Sequence, residues 1–140
     1  MPKVFLDTNF VVYQLDKRFP AKQRLSREMT RDLVRRGEAV ISTQVLQEFY
    51  VVATSRLKVS PILAKGIMSR LGNMEVVTVT ADLIGQAADV HVQSKVSFWD
   101  ALVLVAAASA NCEQLFSEDL NDGQTICGVT VANPFDKGKR

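Results

Sequence analysis

Apolar positions in this chain fall into two patterns that alternate from end to end. The first is a short unbroken run: Val4-Phe5-Leu6, Ala39-Val40-Ile41, Val76-Val77-Thr78-Val79, Gln114-Leu115-Phe116, and one within Cys127 to Ala132. Runs this short, flanked by polar or turn residues, read as buried strands. The second is a longer stretch with its apolar residues on one stripe. Leu25, Met29 and Leu33 recur at every fourth position and predict a helix over about Ala21 to Arg36, stopped by Gly37. Val45, Leu46, Phe49, Val52 and Ala53 predict a helix from a cap at Ser42 or Thr43 to about Leu57. Ser60-Pro61 pairs a cap with a proline at the first helical position and opens a helix to about Leu71-Gly72. Thr80 or Asp82 opens another through Leu83, Ala87 and Val90. Ser97 caps a strongly apolar helix from Phe98 to Ala110, ended by Asn111. A short helical stretch, Phe10 to Leu15, follows the first strand before Phe19-Pro20 breaks the pattern.

Strands alternating with helices imply parallel strands joined by crossovers, with both faces of the sheet covered. The expected fold is therefore α/β, a three-layer α/β/α sandwich around a central parallel sheet of about five strands. No linker, repeat or low-complexity stretch divides the chain. One domain is expected over residues 1–135, with 136–140 as a polar tail carrying Lys137, Lys139 and Arg140.

Composition narrows the class. The chain has 140 residues, 47% hydrophobic and 23% charged, which is enough for one ordinary core. Two cysteines, Cys112 and Cys127, make no disulfide framework and fit a reduced, cytoplasmic setting. His91 is the only histidine, which argues against a histidine-based zinc centre and places it on a helix surface. The longest apolar run, Ala101 to Ala108, falls well short of the ~20 residues a membrane span needs. No leader segment is visible and no membrane association is expected. The net charge of +2 does not by itself indicate a nucleic-acid binder.

The acids carry the chemistry. Asp7 comes where the first strand stops, and in parallel sheets ligands bind at that carboxyl edge. Asp119 follows the fourth strand, at the same edge. Helices that follow strands also begin there, which places Asp100, in the first turn of the apolar helix, and Glu48, beside the stripe of Val45, Phe49 and Val52, on that side. Each acid has a plainer reading. Asp7 serves as a helix cap, and Glu48 as a salt-bridged residue. Asp100 belongs to an S-x-x-D capping box with Ser97, and Asp119 and Asp122 serve as turn residues. Together, four or five carboxylates with no basic residue among them repel one another unless cations bind. All-oxygen ligands suit Mg²⁺ or Mn²⁺, and such a site suits metal-assisted phosphoryl chemistry.

In four segments the chain resembles the PIN-domain ribonucleases, and within them the VapC-type toxins of toxin–antitoxin pairs. The segments are Phe5-Leu6-Asp7-Thr8-Asn9, Gln47-Glu48-Phe49, Phe98-Trp99-Asp100-Ala101 and Phe116-Ser117-Glu118-Asp119-Leu120, in order along nearly the whole chain. The resemblance implies a PIN-like fold and an acidic quartet of Asp7, Glu48, Asp100 and Asp119 around Mg²⁺ or Mn²⁺. Asp7 and Asp100 would be direct ligands, and Asp119 would bind directly or through water. Glu48 would orient a water or ligate a second ion. Thr8, Asn9 and Ser117 would support the carboxylates. Asp122 matches a less regular extra acid, and Glu118 is expected to face solvent. The implied activity is endonucleolytic cleavage of RNA to 5′-phosphate and 3′-hydroxyl ends without a protein nucleophile. The implied partners are an RNA substrate, a cognate antitoxin and a second copy of the chain.

Arg24, Arg27, Arg31 and Arg35 share about a quarter of one helix circumference, opposite Leu25, Met29 and Leu33, and Lys17, Arg18, Lys22 and Arg36 extend the stripe. The stripe is either a solvated face, an RNA-phosphate contact or an antitoxin contact. Phe98 and Trp99 beside Asp100 are expected in the core, with base stacking as the alternative. Three other functions compete with a ribonuclease toxin. A phosphorylated receiver domain needs an acid ending the third strand, and Val76 to Thr80 has none. A non-catalytic PIN-fold module is opposed by the full set of acids. A PIN nuclease of RNA processing or repair shares the site and differs in its biology.

Overall fold

The computed structural model describes residues 2–136, so Lys137, Lys139 and Arg140 of the expected tail lie outside the described residues. The chain runs β1 (Lys3–Leu6), α1 (Thr8–Val12) with a 3₁₀ turn at Tyr13–Leu15, and α2 (Pro20–Arg35). It continues through β2 (Ala39–Ser42), α3 (Thr43–Ser55), α4 (Pro61–Leu71), β3 (Glu75–Val77) and α5 (Ala81–Ser94). It ends with α6 (Phe98–Ser109), β4 (Cys112–Phe116), β5 (Thr125–Ile126) and β6 (Val129–Ala132).

Side-chain oxygens start most of the helices. Ser42, Ser60, Thr80 and Ser97 each accept a hydrogen bond from an amide in the first turn of the helix that follows. Pro20 and Pro61 sit in the first turns of α2 and α4, where a missing N–H costs nothing. Gly37 (φ 70) lies just beyond α2, and Asn111 (φ 61) just beyond α6, in the left-handed conformation that those residue types tolerate best.

The sheet order is β3-β2-β1-β4-β6-β5. All pairings are parallel except that of β5 with β6. The three-layer sandwich is as expected, but the sheet has six strands. The run from Cys127 begins its strand only at Val129, because Cys127 (φ 56) and Gly128 (φ 77) both turn left-handed and close a two-residue hairpin onto β5. The third strand stops at Val77, because the Val79 amide donates to Thr43 Oγ1 (3.1 Å) and leaves the ladder.

The direction in which successive strands are added reverses between β1 and β4. β1 leads outward through β2 to β3, and β4 leads the other way to β6. That crevice is the switch point at which α/β sheets bind ligands. Beneath it Phe5, Leu6, Phe10, Ile41, Phe49, Leu104 and Leu115 are fully buried. α6 packs on α5 and on β2, β3, β4 and β6, and every residue from Ala101 to Ala107 is buried. That burial explains its lack of charge after Asp100. Among the described residues no helix is long and apolar enough to cross a membrane.

Candidate functional site

Register brings the first polar groups together. Leu6 pairs with Phe116 across the β1–β4 ladder, so Asp7 and Ser117 leave neighbouring strands side by side. The Asp7 amide donates to the Phe116 carbonyl (3.2 Å). The Ser117 hydroxyl, 1% exposed, donates to Asp7 Oδ2 (2.8 Å) and accepts from the Asp119 amide (3.1 Å). One hydroxyl thus ties an acid on β1 to the loop that carries another.

The Thr8 amide, the Thr8 hydroxyl and the Asn9 side chain each hold one acid. Asp7 caps α1, its Oδ1 accepting from the Thr8 amide (2.8 Å). Thr8 Oγ1 donates to Glu48 Oε1 on α3 (2.6 Å). Asn9 Nδ2 donates to both oxygens of Asp119 (3.2 and 3.0 Å). The capping role expected as the plainer reading of Asp7 is therefore real and coexists with its place in the cluster.

Asp100 completes the cluster from α6. Its amide donates to Ser97 Oγ (3.1 Å), the N-cap half of a capping box. Its carboxylate lines the same pocket as Asp7, Glu48 and Asp119. That pocket, about 510 Å³, is also lined by Thr8, Asn9, Gln44, Gln47, Val51, Val52, Trp99 and Val103. No lysine or arginine is in that lining. The acids are graded in depth, with Asp7 buried, Glu48 and Asp100 half-buried and Asp119 exposed at the rim.

Burial pushes the Asp7 carboxyl from 3.8 to about 6, more than the Ser117 and Thr8 hydrogen bonds pull it back, and repulsion from Asp119 and Asp100 adds to the rise. Asp119 is also raised, by partial loss of solvent and by repulsion from Asp100, Glu118 and Glu48. The site is short of positive charge, and its donors are all oxygen, which fits a hard divalent cation. The acids share the pocket without being closed on a common point. Among the described residues no three His, Cys, Asp or Glu side chains stand in an ion-holding group.

The expected supporting residues Thr8, Asn9 and Ser117 all bond to the acids. Asp122 accepts from the Asn133 amide (3.1 Å), outside the pocket lining, and so ties the loop after β4 to the segment after β6. Glu118 does not face solvent as expected. Tyr13 donates to its Oε1 (2.6 Å) and Lys22 reaches its Oε2 (2.7 Å), with the Lys22 ammonium 4.8 Å from the Tyr13 ring centre. Side-chain pairing alone hides this contact in the sequence, because its partners lie about a hundred positions away. The clamp ties the Ser117–Asp119 loop to the 3₁₀ turn after α1 and to α2, so Lys22 belongs to it rather than to a free basic stripe.

The remaining arginines stand elsewhere. Arg24, Arg27, Arg31 and Arg35 are exposed. Arg27, Arg31 and Arg35 line a separate groove of about 700 Å³ with Val34 of α2 and with Ile67, Arg70, Leu71 and Met74. It shares no lining residue with the acid pocket. Some of the stripe's charge is spent locally. Arg35 and Arg36 pair with Asp32, and Arg18 pairs with Asp16. Trp99, expected in the core, is 62% exposed.

The sequence model of the family described as PIN domain matches residues 4–121. Among curated protein sequences none matches the chain. Solved structures share its fold. VapC20 of Mycobacterium tuberculosis, described as a sarcin–ricin-loop-cleaving toxin, superposes with a TM-score of 0.62 at 21% identity, over 84% of this chain and 90% of that one. VapBC2 of Rickettsia felis, bound to a DNA fragment from its promoter, gives 0.67 at 18% identity, over 93% and 97%. A toxin–antitoxin complex from Klebsiella pneumoniae gives 0.64 at 20% identity, over 91% and 96%.

Two consequences are measurable. Between 3.8 and about 6 the folded protein keeps the Asp7 proton that the unfolded chain has lost. Metal-free stability therefore falls as pH rises through that window, by about 3 kcal/mol from this group. In EDTA at about pH 7, Asp7→Asn should melt at a higher temperature than the parent, and its stability should vary less with pH across that window. A lower melting temperature would show that the carboxylate is not strained. Separately, Lys22→Met should cost no more than about 1 kcal/mol in urea unfolding, since the pair is partly exposed. It should also speed hydrogen exchange at the Ser117 and Asp119 amides. Unchanged exchange would mean that Ser117 holds the loop unaided.

Proposed function

The chain belongs to the PIN domain family, and from that premise we propose that it is a cytoplasmic, Mg²⁺- or Mn²⁺-dependent endoribonuclease and the toxin of a toxin–antitoxin pair. One observation carries the reading: Asp7, Glu48, Asp100 and Asp119 share one pocket whose lining has no basic residue. Such a pocket is stable against its own repulsion when it holds a cation, and it has no other obvious use for so many carboxylates.

The residues divide the work. Asp7 and Asp100 are the direct ligands, and Asp119 binds directly or through water. The ion supplies charge that makes water a better nucleophile and stabilises the leaving oxygen of a phosphodiester. Everything else is orientation by the chain. Ser117 and the Thr8 amide fix both Asp7 oxygens. Asn9 holds Asp119 by both oxygens. Thr8 anchors Glu48 through Oε1, and Oε2, which accepts only a long contact from Gln44 Nε2 (3.4 Å), orients the attacking water. No serine, cysteine or histidine nucleophile is needed.

The toxin assignment draws on the solved relatives, two of which are described as a loop-cleaving toxin and a toxin–antitoxin complex. The groove between α2 and α4 suits the antitoxin. It combines Arg27, Arg31, Arg35 and Arg70 with Val34, Ile67, Leu71 and Met74. A protein segment with acidic and apolar side chains matches that mixture better than an RNA backbone does. Of the three readings open to the stripe, Arg27, Arg31 and Arg35 are accordingly assigned to the protein partner.

Purified protein should cleave RNA with Mg²⁺ or Mn²⁺ and stop when EDTA is added. Asp7→Asn and Asp100→Asn should each lower the rate by more than about 100-fold without unfolding the protein. Cleavage by either variant at the parent rate would overturn the site. For the groove, Arg27→Glu combined with Arg31→Glu should leave cleavage of a short RNA intact and abolish neutralisation by the co-expressed antitoxin. Weaker RNA binding with a shallower salt dependence would instead return the stripe to the substrate.

A further inference from the structure

The acid pocket has a wall that phosphodiester chemistry alone does not explain. Trp99 is 62% exposed, although it sits at the start of a helix that is buried from Ala101 to Ala107. It lines the pocket beside Asp100, together with Val51, which is 59% exposed, and Val103. Phe98 meets it edge to face (5.3 Å between ring centres, 77°), so the indole is supported while its surface stays open to water.

A second observation lies in the same pocket. Gln44 is 5% exposed and lines it, yet its Oε1 has no hydrogen-bond partner. Its Nε2 makes only long contacts, 3.4 Å to Glu48 Oε2 and 3.5 Å to the Trp99 carbonyl. A buried amide oxygen without a donor is costly to leave unmet; this one is closed to solvent, so a ligand reaches it when the long Nε2 contacts give way and the amide turns toward the pocket. An exposed aromatic surface and an amide held only by long contacts therefore line one cavity, against the acids.

We propose that Trp99 and Gln44 form a nucleotide subsite: the base next to the scissile phosphate stacks on Trp99, and that nucleotide donates a hydrogen bond to Gln44 Oε1. The donor is either a base N–H or the ribose 2′-OH, which is the group that distinguishes RNA from DNA. The inference rests on the nuclease reading of the same pocket and adds the side chains that hold the base. A base inside a duplex is stacked on its neighbours and cannot reach an indole on the protein. The substrate is accordingly single-stranded or looped RNA whose base can swing out. A neutral base also tolerates an acidic rim that repels phosphate.

Trp99 is the only tryptophan in the chain, so fluorescence reports this position alone. The Asp7→Asn variant, mixed with Mg²⁺ and a single-stranded oligoribonucleotide, should show saturable quenching. A duplex of the same sequence, or an oligonucleotide with abasic sites throughout, should quench little. In the otherwise native protein, Trp99→Ala should raise KM for the single strand about 10-fold, with a smaller change in kcat, and Trp99→Phe should restore most of it. Gln44→Met should also raise KM, and a 2′-deoxy substrate tells the two donors apart. If the protein cleaves RNA but no single strand quenches Trp99 and Trp99→Ala keeps the parent KM, the subsite is wrong while the nuclease stands. A blue shift that grows with protein concentration and ignores RNA would assign Trp99 to a second copy of the chain and overturn the proposal. Quenching by single strands without cleavage by the parent protein would keep the subsite and sink the nuclease reading.

Discussion

The parallel pairing of β1 with β4 is the constraint on which the site depends. It sets Leu6 opposite Phe116 and so delivers Asp7 and Ser117 to the same point. A slip of one residue would turn Asp7 to the other face of the sheet and carry the buried Phe5 and Leu6 with it. The core therefore enforces the register, and the register in turn assembles the site. Ser117 then transmits the position of β1 to the loop holding Asp119, and Thr8 and Asn9 transmit it to α3 and back to that loop.

This arrangement places like charges where water is scarce. Asp7 is the deepest of them, and its carboxyl is held at about 6. Hydrogen bonds from Ser117 and Thr8 lessen the strain without removing it, because burial outweighs them. Elsewhere the chain pairs shielded acids with cations: the buried Asp16 has Arg18, and the half-buried Glu118 has Lys22. The pocket is treated differently, with neutral donors only. Hydroxyls and amides orient carboxylates while leaving their charge available to a cation, which a lysine would cancel.

The surface is divided by the same helices. α1 and α3 each contribute to the acid pocket and to the arginine-lined groove, Thr8 and Asn9 against Val11, and Glu48 against Phe49. The two cavities thus lie on different sides of a shared wall. One is acidic with an exposed indole, and the other is basic with an apolar floor. Two ligands of different chemistry can be held by a small domain without competing for side chains.

Much of this is written in the sequence. Short apolar runs and helical stripes specify the alternation of strand and helix, because burial on one face demands those periods. Ser42, Ser60, Thr80, Ser97 and Gly37 mark helix ends because their chemistry is local. The acids could be named from their places after strands and at helix starts. What escaped was non-local. The extra strand depends on two left-handed residues, Cys127 and Gly128, of which cysteine gives no warning. Glu118 reads as a surface acid until Tyr13 and Lys22 arrive from the other end of the chain. Trp99 reads as core until the packing of α6 leaves its position facing the pocket. The sequence by itself determined which residues must be buried and where helices begin, since both follow from neighbours along the chain. Only the tertiary structure decided which acid meets which hydroxyl, which cation is already spent and which aromatic stays open, because those are set by register and packing between segments that the sequence keeps far apart.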